Sequence, residues 1–253
     1  VDVSASPANL DNAYVVSGTD QKILRTSNGG TTWEDATSNL PRDFSAGDNY
    51  NWSQSNYDIH ILCSYVPGGN QDIVYCGLIT FAATNDRGFT WQDVGSTYQA
   101  AAKTHNDQHC AAFNPRNPNQ VLFGNDGGLY EISYDPAAAD WDAIETEKNL
   151  PNCTQFYTGA GSNASREYLL GGTQDNASPR SYGADSPNDF LAAAIDNWNN
   201  CGGGDGGASA IDPNDSDNQW TTANGDPLRT TDGWATATNV SLPTHTFLAG
   251  DGR

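Results

Sequence analysis

Five short apolar runs, each closed by a small residue, punctuate an otherwise polar chain: Tyr14-Val-Val-Ser-Gly18, Val74-Tyr-Cys-Gly77, Val121-Leu-Phe-Gly124, Tyr168-Leu-Leu-Gly171 and Gln219-Trp-Thr-Thr-Ala223. Runs of this length bounded by turn formers are strands, being too short for stable helices. Their closing positions lie 59, 47, 47 and 52 residues apart, a spacing that predicts repeated multi-stranded units of about 40 to 50 residues. Turn signals keep the same frame. Ser6-Pro-Ala-Asn, Asn114-Pro-Arg-Asn-Pro-Asn and Asp212-Pro-Asn-Asp precede the apolar run in three units, where Pro presets φ and Asn or Asp closes a tight turn. The best helical window, residues 137–147, is short and interrupted. The pattern predicts an all-β fold of about five units, over roughly 1–40, 50–98, 105–150, 153–200 and 203–242, in a single domain.

An eight-residue pattern occurs twice, as Thr26-Ser-Asn-Gly-Gly-Thr-Thr-Trp33 and Thr84-Asn-Asp-Arg-Gly-Phe-Thr-Trp91. Asn28 and Asp86 can bond the backbone of their own turn, Gly30 and Gly88 supply positive φ, and Trp33 and Trp91 are expected to be buried beneath it. Further along, Ser133-Tyr-Asp135 reaches Trp141 only after an insertion, and Thr230-Thr-Asp232-Gly-Trp234 reads as a truncated copy. The chain here resembles the Asp-box, or bacterial-neuraminidase-repeat, β-propellers. The resemblance implies four-stranded antiparallel blades with this turn between the third and fourth strands. Five blades are fewer than that family's closed rings hold, so the chain is expected to be part of a longer protein, with remaining blades or other protein subunits covering its open edges.

Charge narrows the function classes. With 31 acidic against 11 basic residues and a net charge of −20, the surface repels nucleic acid and anionic lipid, both of which need Lys or Arg to neutralise phosphates. The acidity is mostly Asp in Gly- and Asn-rich loops, which serves turn chemistry and solubility or supplies the oxygen ligands of calcium or another divalent cation. Six Asn-x-Ser/Thr sites, at Asn51, Asn152, Asn163, Asn176, Asn214 and Asn239, permit glycosylation. Five cysteines suggest an oxidising compartment, with Cys63 and Cys76 expected to pair across a hairpin, Cys153 and Cys201 to close the fourth unit, and Cys110 left over. No apolar stretch approaches the length of a membrane span. The expected location is extracellular.

Candidate chemistry is concentrated after residue 100. In His105-Asn-Asp107-Gln-His109, strand alternation would put His105, Asp107 and His109 on one face, either as a divalent-metal site or as a hydrogen-bonded polar plug. Asp126, Asp175 and Asp205 each sit beside glycines near a strand end, either in turns needing positive φ or as carboxylates converging on one face. The motif order, with Thr-Gln155-Phe-Tyr157 and Gly-Gly-Thr-Gln174-Asp-Asn between, is similar over residues 100–235 to a group of secreted propellers labelled glycosyl-hydrolase-like. Two of Asp107, Asp126, Asp175 and Asp205 would serve a xyloglucanase-type glycoside hydrolase, with Gln155, Tyr157, Gln174, Trp198 and Trp52 contacting sugar. A sialidase, which needs three arginines around the sugar carboxylate, is disfavoured, because of the eight arginines Arg25, Arg87 and Arg229 lie in or beside Asp-box turns and Arg116 in a Pro turn, and no Arg-Ile-Pro motif is present. The photosystem-assembly propellers use a basic patch that this chain lacks. The reading favoured at this level is a non-catalytic extracellular module that binds glycans, cations or protein subunits, with a glycoside hydrolase as the alternative.

Overall fold

The computed structural model describes residues 1–38, 40–41, 52–95, 103–145, 154–162, 168–182 and 198–240. These form twenty strands in five four-stranded antiparallel sheets, each pairing its strands in chain order. Blade one holds β1 (Asp2–Ala5), β2 (Ala13–Ser17), β3 (Lys22–Thr26) and β4 (Glu34–Asp35). Blade two holds β5 (His60–Tyr65), β6 (Asp72–Gly77), β7 (Phe81–Thr84) and β8 (Gln92–Asp93). Blade three holds β9 (Gln108–Asn114), β10 (Asn117–Asn125), β11 (Gly128–Asp135) and β12 (Asp140–Glu145). Blade four holds β13 (Phe156–Gly161), β14 (Tyr168–Thr173), β15 (Pro179–Tyr182) and β16 (Trp198–Asn200), and blade five β17 (Ala210–Asp212), β18 (Asp215–Ala223), β19 (Asp226–Thr230) and β20 (Thr238–Asn239). The chain divides into two compact units, Val1–Cys153 with blades one to three and Thr154–Arg253 with blades four and five.

All five apolar runs are second strands. Within the first unit β1 lies beside β5 and β5 beside β9, and within the second β13 lies beside β17. First strands meeting side by side are the mark of propeller blades. Side chains satisfy the edge this leaves: the Ile61 N–H donates to Asp2 Oδ2 at 2.9 Å and the Cys63 N–H to Ser4 Oγ at 2.9 Å. A blade between two others is covered on both faces, so β6 is buried throughout. Val74 and Cys76 pack with Tyr14, Val16 and Ile23 of blade one, while Ile73 and Tyr75 pack with Val121 and Phe123 of blade three. Phe81 stacks on Phe123 with ring centroids 4.2 Å apart. Asp72, also buried, accepts hydrogen bonds from three blade-one groups: Ser6 Oγ at 2.5 Å, Asn12 Nδ2 at 2.7 Å and Tyr14 Oη at 2.8 Å.

The Pro-containing turns share one device. The Ser6, Asn114 and Asp212 side chains each accept the backbone N–H two residues on, at 3.1, 3.0 and 2.9 Å. The repeated eight-residue turns likewise close alike. Thr84 Oγ1 donates to Asp86 Oδ1 at 2.7 Å, and Thr90 donates to Asp86 through both its N–H and its hydroxyl, at 2.9 and 2.6 Å. In blade one Asn28 Oδ1 accepts from the Thr26 hydroxyl and the Thr32 N–H, both at 2.9 Å.

Three expectations are corrected. The turn in blade five is complete, with Asp232 bonded to Thr230 and Thr236 just as Asp86 is to Thr84 and Thr90. Its indole has moved three places forward, so that Trp234 fills the positive-φ position, at φ 67°, where Gly30 and Gly88 stand elsewhere. Trp91 is buried, but Trp33 is 41% exposed, because Trp91 plugs against the preceding blade, donating from Nε1 to Ala36 O at 2.9 Å. Residues 140–145, inside the interrupted window 137–147, form β12, in keeping with the all-β expectation. Cys63 and Cys76 are free thiols. The register sets Cys63 opposite Val74 and Cys76 opposite Ile61, a diagonal of roughly 7–8 Å that a disulfide does not span. Burial raises both thiols, Cys76 to about 12. Cys201 is also a buried free thiol. Cys153 and the sequons at Asn51, Asn152 and Asn163 lie outside the described residues. Asn214 and Asn239 are exposed, whereas Asn176 is half-buried and donates to Gln174 O.

Candidate functional site

The densest polar cluster of the first unit forms where the segment entering β5 meets the loop entering β9. Two backbone bonds, Asp107 N–H to Ile79 O and Gln108 N–H to Leu78 O, both at 2.9 Å, tie that loop to blade two. Asn125 Nδ2 and Gln108 Nε2 both donate to His105 O, at 3.0 and 2.7 Å. Gly127 is required by close approach, since a Cβ there would lie 2.4 Å from His105 Cβ.

This loop breaks the expected alternation. β9 begins at Gln108, and Asp107 has φ 62°, so His105 and Asp107 precede the strand. His105 turns aside, its Nδ1 donating to Asn106 O at 3.2 Å. Asp107 is buried and accepts from Asn106 Nδ2 at 2.5 Å and Gln54 Nε2 at 3.4 Å. His109 is held between two carboxylates. Its Nε2 lies 2.5 Å from Asp126 Oδ1, its Nδ1 lies 3.6 Å from Asp58 Oδ1, and its ring meets Tyr57 edge-on at 4.7 Å. The imidazole is 30% exposed, while Asp58 is fully buried. Beside it, buried His60 has neither ring nitrogen hydrogen-bonded. Burial pulls its pKa down to about 4, the nearby Asp2 carboxylate opposing and His109 adding to the shift, so it is neutral at pH 7.

Asp107 and Asp126 also bring carboxylate oxygens within 4.8 Å of each other, two hard ligands of the kind a calcium ion takes. Chemically, the cluster can contribute oxygens to a cation. Sequence reasoning missed Tyr57, Asp58 and His60, although Asp58-Ile-His60 and Asp107-Gln-His109 form an Asp-x-His repeat 49 residues apart.

In the second unit the Asp205 carboxylate serves backbone geometry. Asp205 Oδ1 accepts the Asp175 N–H at 3.0 Å, and the Asp205 N–H donates to Asn224 Oδ1 at 2.9 Å. Gly172 lets the chain pass close to blade five, since a Cβ there would lie 2.0 Å from Gly207 O. Gln155 and Gln174 meet through a backbone bond of 3.2 Å, and Tyr157 is half exposed. A recess of about 420 Å³ on blade four is walled by Phe156 and Trp198, with Gly159, Gly161, Leu169 and Leu170 beneath. Among the expected ligand contacts only Trp198 lines it. Trp52 is buried and offers no platform.

No protein-family model matches the chain, and no curated protein matches it in sequence. Among solved structures it is similar to a GH74 enzyme from Niastella koreensis, at 14% identity over 94% of this chain and 37% of that one, with a TM-score of 0.38. It is likewise similar to the extracellular domain of a putative hybrid two-component system from B. thetaiotaomicron (13% identity, 94% and 29% covered, TM-score 0.39). A third is YCF48 from Cyanidioschyzon merolae (13%, 94% and 84%, TM-score 0.31). The chain thus spans little more than a third of the GH74 enzyme's length. No helix among the described residues is long and apolar enough to cross a membrane.

Proposed function

We propose that this chain is a non-catalytic propeller module of an extracellular protein, a scaffold whose blades present surfaces for binding. One observation carries the reading: three of the four candidate acids, Asp107, Asp126 and Asp205, are already engaged by neighbouring groups. Asp107 accepts from Asn106 and Gln54, Asp126 pairs with His109, and Asp205 accepts the Asp175 N–H. A two-carboxylate glycosidase instead needs one acid and one base facing across a sugar-sized cleft. The aromatic recess at Phe156 and Trp198 has no carboxylate in its lining. Incubation with a panel of β-glucans is expected to release no reducing ends. Hydrolysis that Asp126→Asn abolishes would overturn the proposal in favour of a glycoside hydrolase.

A further inference from the structure

The closed Asp-box turns take hold of the preceding blade in one repeated way. In blade two, the carbonyl of Arg87, fourth residue of its turn, accepts from Nη1 of Arg25 on β3 at 2.8 Å. In blade five, the carbonyl of Gly233, again the fourth residue, accepts from Nη1 of Arg180 on β15. Each arginine stands on the third strand of the blade before. The third closed turn is that of blade one, whose fourth residue is Gly29. Third strands carry three arginines in all, Arg25, Arg180 and Arg229, so pairing off the two observed clasps leaves Arg229 and the Gly29 carbonyl. Arg229 uses Nε on Asn218 Oδ1 at 3.1 Å and lies over Trp220, and its Nη atoms have no acceptor among the described residues.

Within the first unit, the described residues leave the rest of blade one's outer face only partly covered in the same register. Val3, Val15, Leu24 and Asp35 pair across blade one as Ile61, Cys76, Ala82 and Asp93 pair across blade two. In blade two that row is covered by blade one, leaving Ile61, Cys76 and Ala82 at most 4% exposed. In blade one Val3 is 63% and Trp33 41% exposed. What covers the row in blade two also supplies the Ala36 carbonyl to Trp91. Val240 is the counterpart of Ala36 in blade five: the Ala36 N–H bonds Ile23 O, and the Val240 N–H bonds Pro227 O, both at 2.8 Å.

We propose that the outer face of blade one docks blade five of a second copy of this chain, with Arg229 clasping the Gly29 carbonyl and the Val240 carbonyl taking the Trp33 indole N–H. The assignment rests on the scaffold reading and names its partner. The contact is heterologous, a head on a tail, so it builds rings or open rows rather than a two-fold dimer. Copies carrying −20 each repel, and screening lets the apolar and main-chain contacts prevail, so association strengthens with salt.

Sedimentation velocity of the full chain across a concentration series, at physiological and raised salt, tests this. The wild type is expected to assemble beyond dimers, and Arg229→Ala and Trp33→Ala each to weaken assembly at least about tenfold. Mixed one to one, the two variants should form heterodimers and stop there, because each retains the face that the other has lost. Trp33→Phe, which keeps the ring but loses the donor, substitutes should Trp33→Ala fail to fold. A wild type that stays monomeric at every concentration overturns the proposal, as does an Arg229→Ala chain that assembles like wild type. So does a mixture that associates no better than its components. These readouts involve no glycan, so they stand or fall separately from the hydrolysis test.

Discussion

Replacing Asp72 with Ala probes what joins blade one to blade two. The carboxylate is 2% exposed and is the acceptor for the Ser6 hydroxyl, the Asn12 amide and the Tyr14 hydroxyl. Alanine strands three buried donors, each costing about 1–3 kcal/mol when unpaired. Water entering the vacated space recovers part of this, which sets the expected loss at about 4 kcal/mol. With a urea slope near the top of the usual range, about 2–3 kcal/mol per molar, the midpoint should fall by about 1.5–2 M. Asp72→Asn should lose only about 1–2 kcal/mol, because the Ser6 and Tyr14 hydroxyls can rotate to accept from the new amide. Tyr14→Phe should cost about 1 kcal/mol alone and less on top of Asp72→Ala, since the two share one bond. Tyrosine and tryptophan fluorescence in urea reads the wild type and all four variants, the double one included. An Asp72→Ala midpoint within about 0.4 M of wild type would show that the cluster is not what secures the two blades.

Two further outcomes follow from ionisable groups. His60 has a folded pKa of about 4 against 6.5 when unfolded, so between these values the unfolded chain binds more protons. Stability is therefore full above about pH 6.5 and lost as pH falls toward 4, by about 3 kcal/mol, and His60→Phe should flatten the slope of urea midpoint against pH in that window; an unchanged slope refutes the assignment. Thiol labelling of native protein should modify exposed Cys110 quickly and reach Cys63, Cys76 and Cys201 only on unfolding, whereas a disulfide-linked peptide holding Cys63 and Cys76 would contradict the register of β5 and β6.

The second strand of blade two was legible because a strand covered on both faces must be apolar along its length, which is what Val74-Tyr-Cys-Gly77 spells out. In residues 137–147 alanine and glutamate favour helix locally, but pairing of β12 with β11 and packing of Trp141 against Tyr134 make 140–145 a strand, as the all-β pattern required. The blade-five turn was hidden because its skeleton is Thr230, Asp232 and Thr236; the glycine and tryptophan positions are replaceable at the cost of strain at Trp234. At the candidate site, Asp126 and His109 stood in the motif that drew attention to them. Asp58 and His60 did not, because they become neighbours of His109 only when blades two and three pack. The strand alternation expected of His105, Asp107 and His109 stops at one backbone angle, the positive φ of Asp107, before the strand begins.

The displaced tryptophan of blade five changes where energy is stored. Trp91 spends its indole N–H on the neighbouring blade, whereas Trp234 donates to Gln219 Oε1 of its own blade at 2.7 Å. In a stack of repeats, stability divides into what each repeat holds alone and what each junction adds. The same side chain is thus a junction contribution in blade two and an intrinsic one in blade five. With the indole turned inward, the Arg180 clasp ties this turn to blade four.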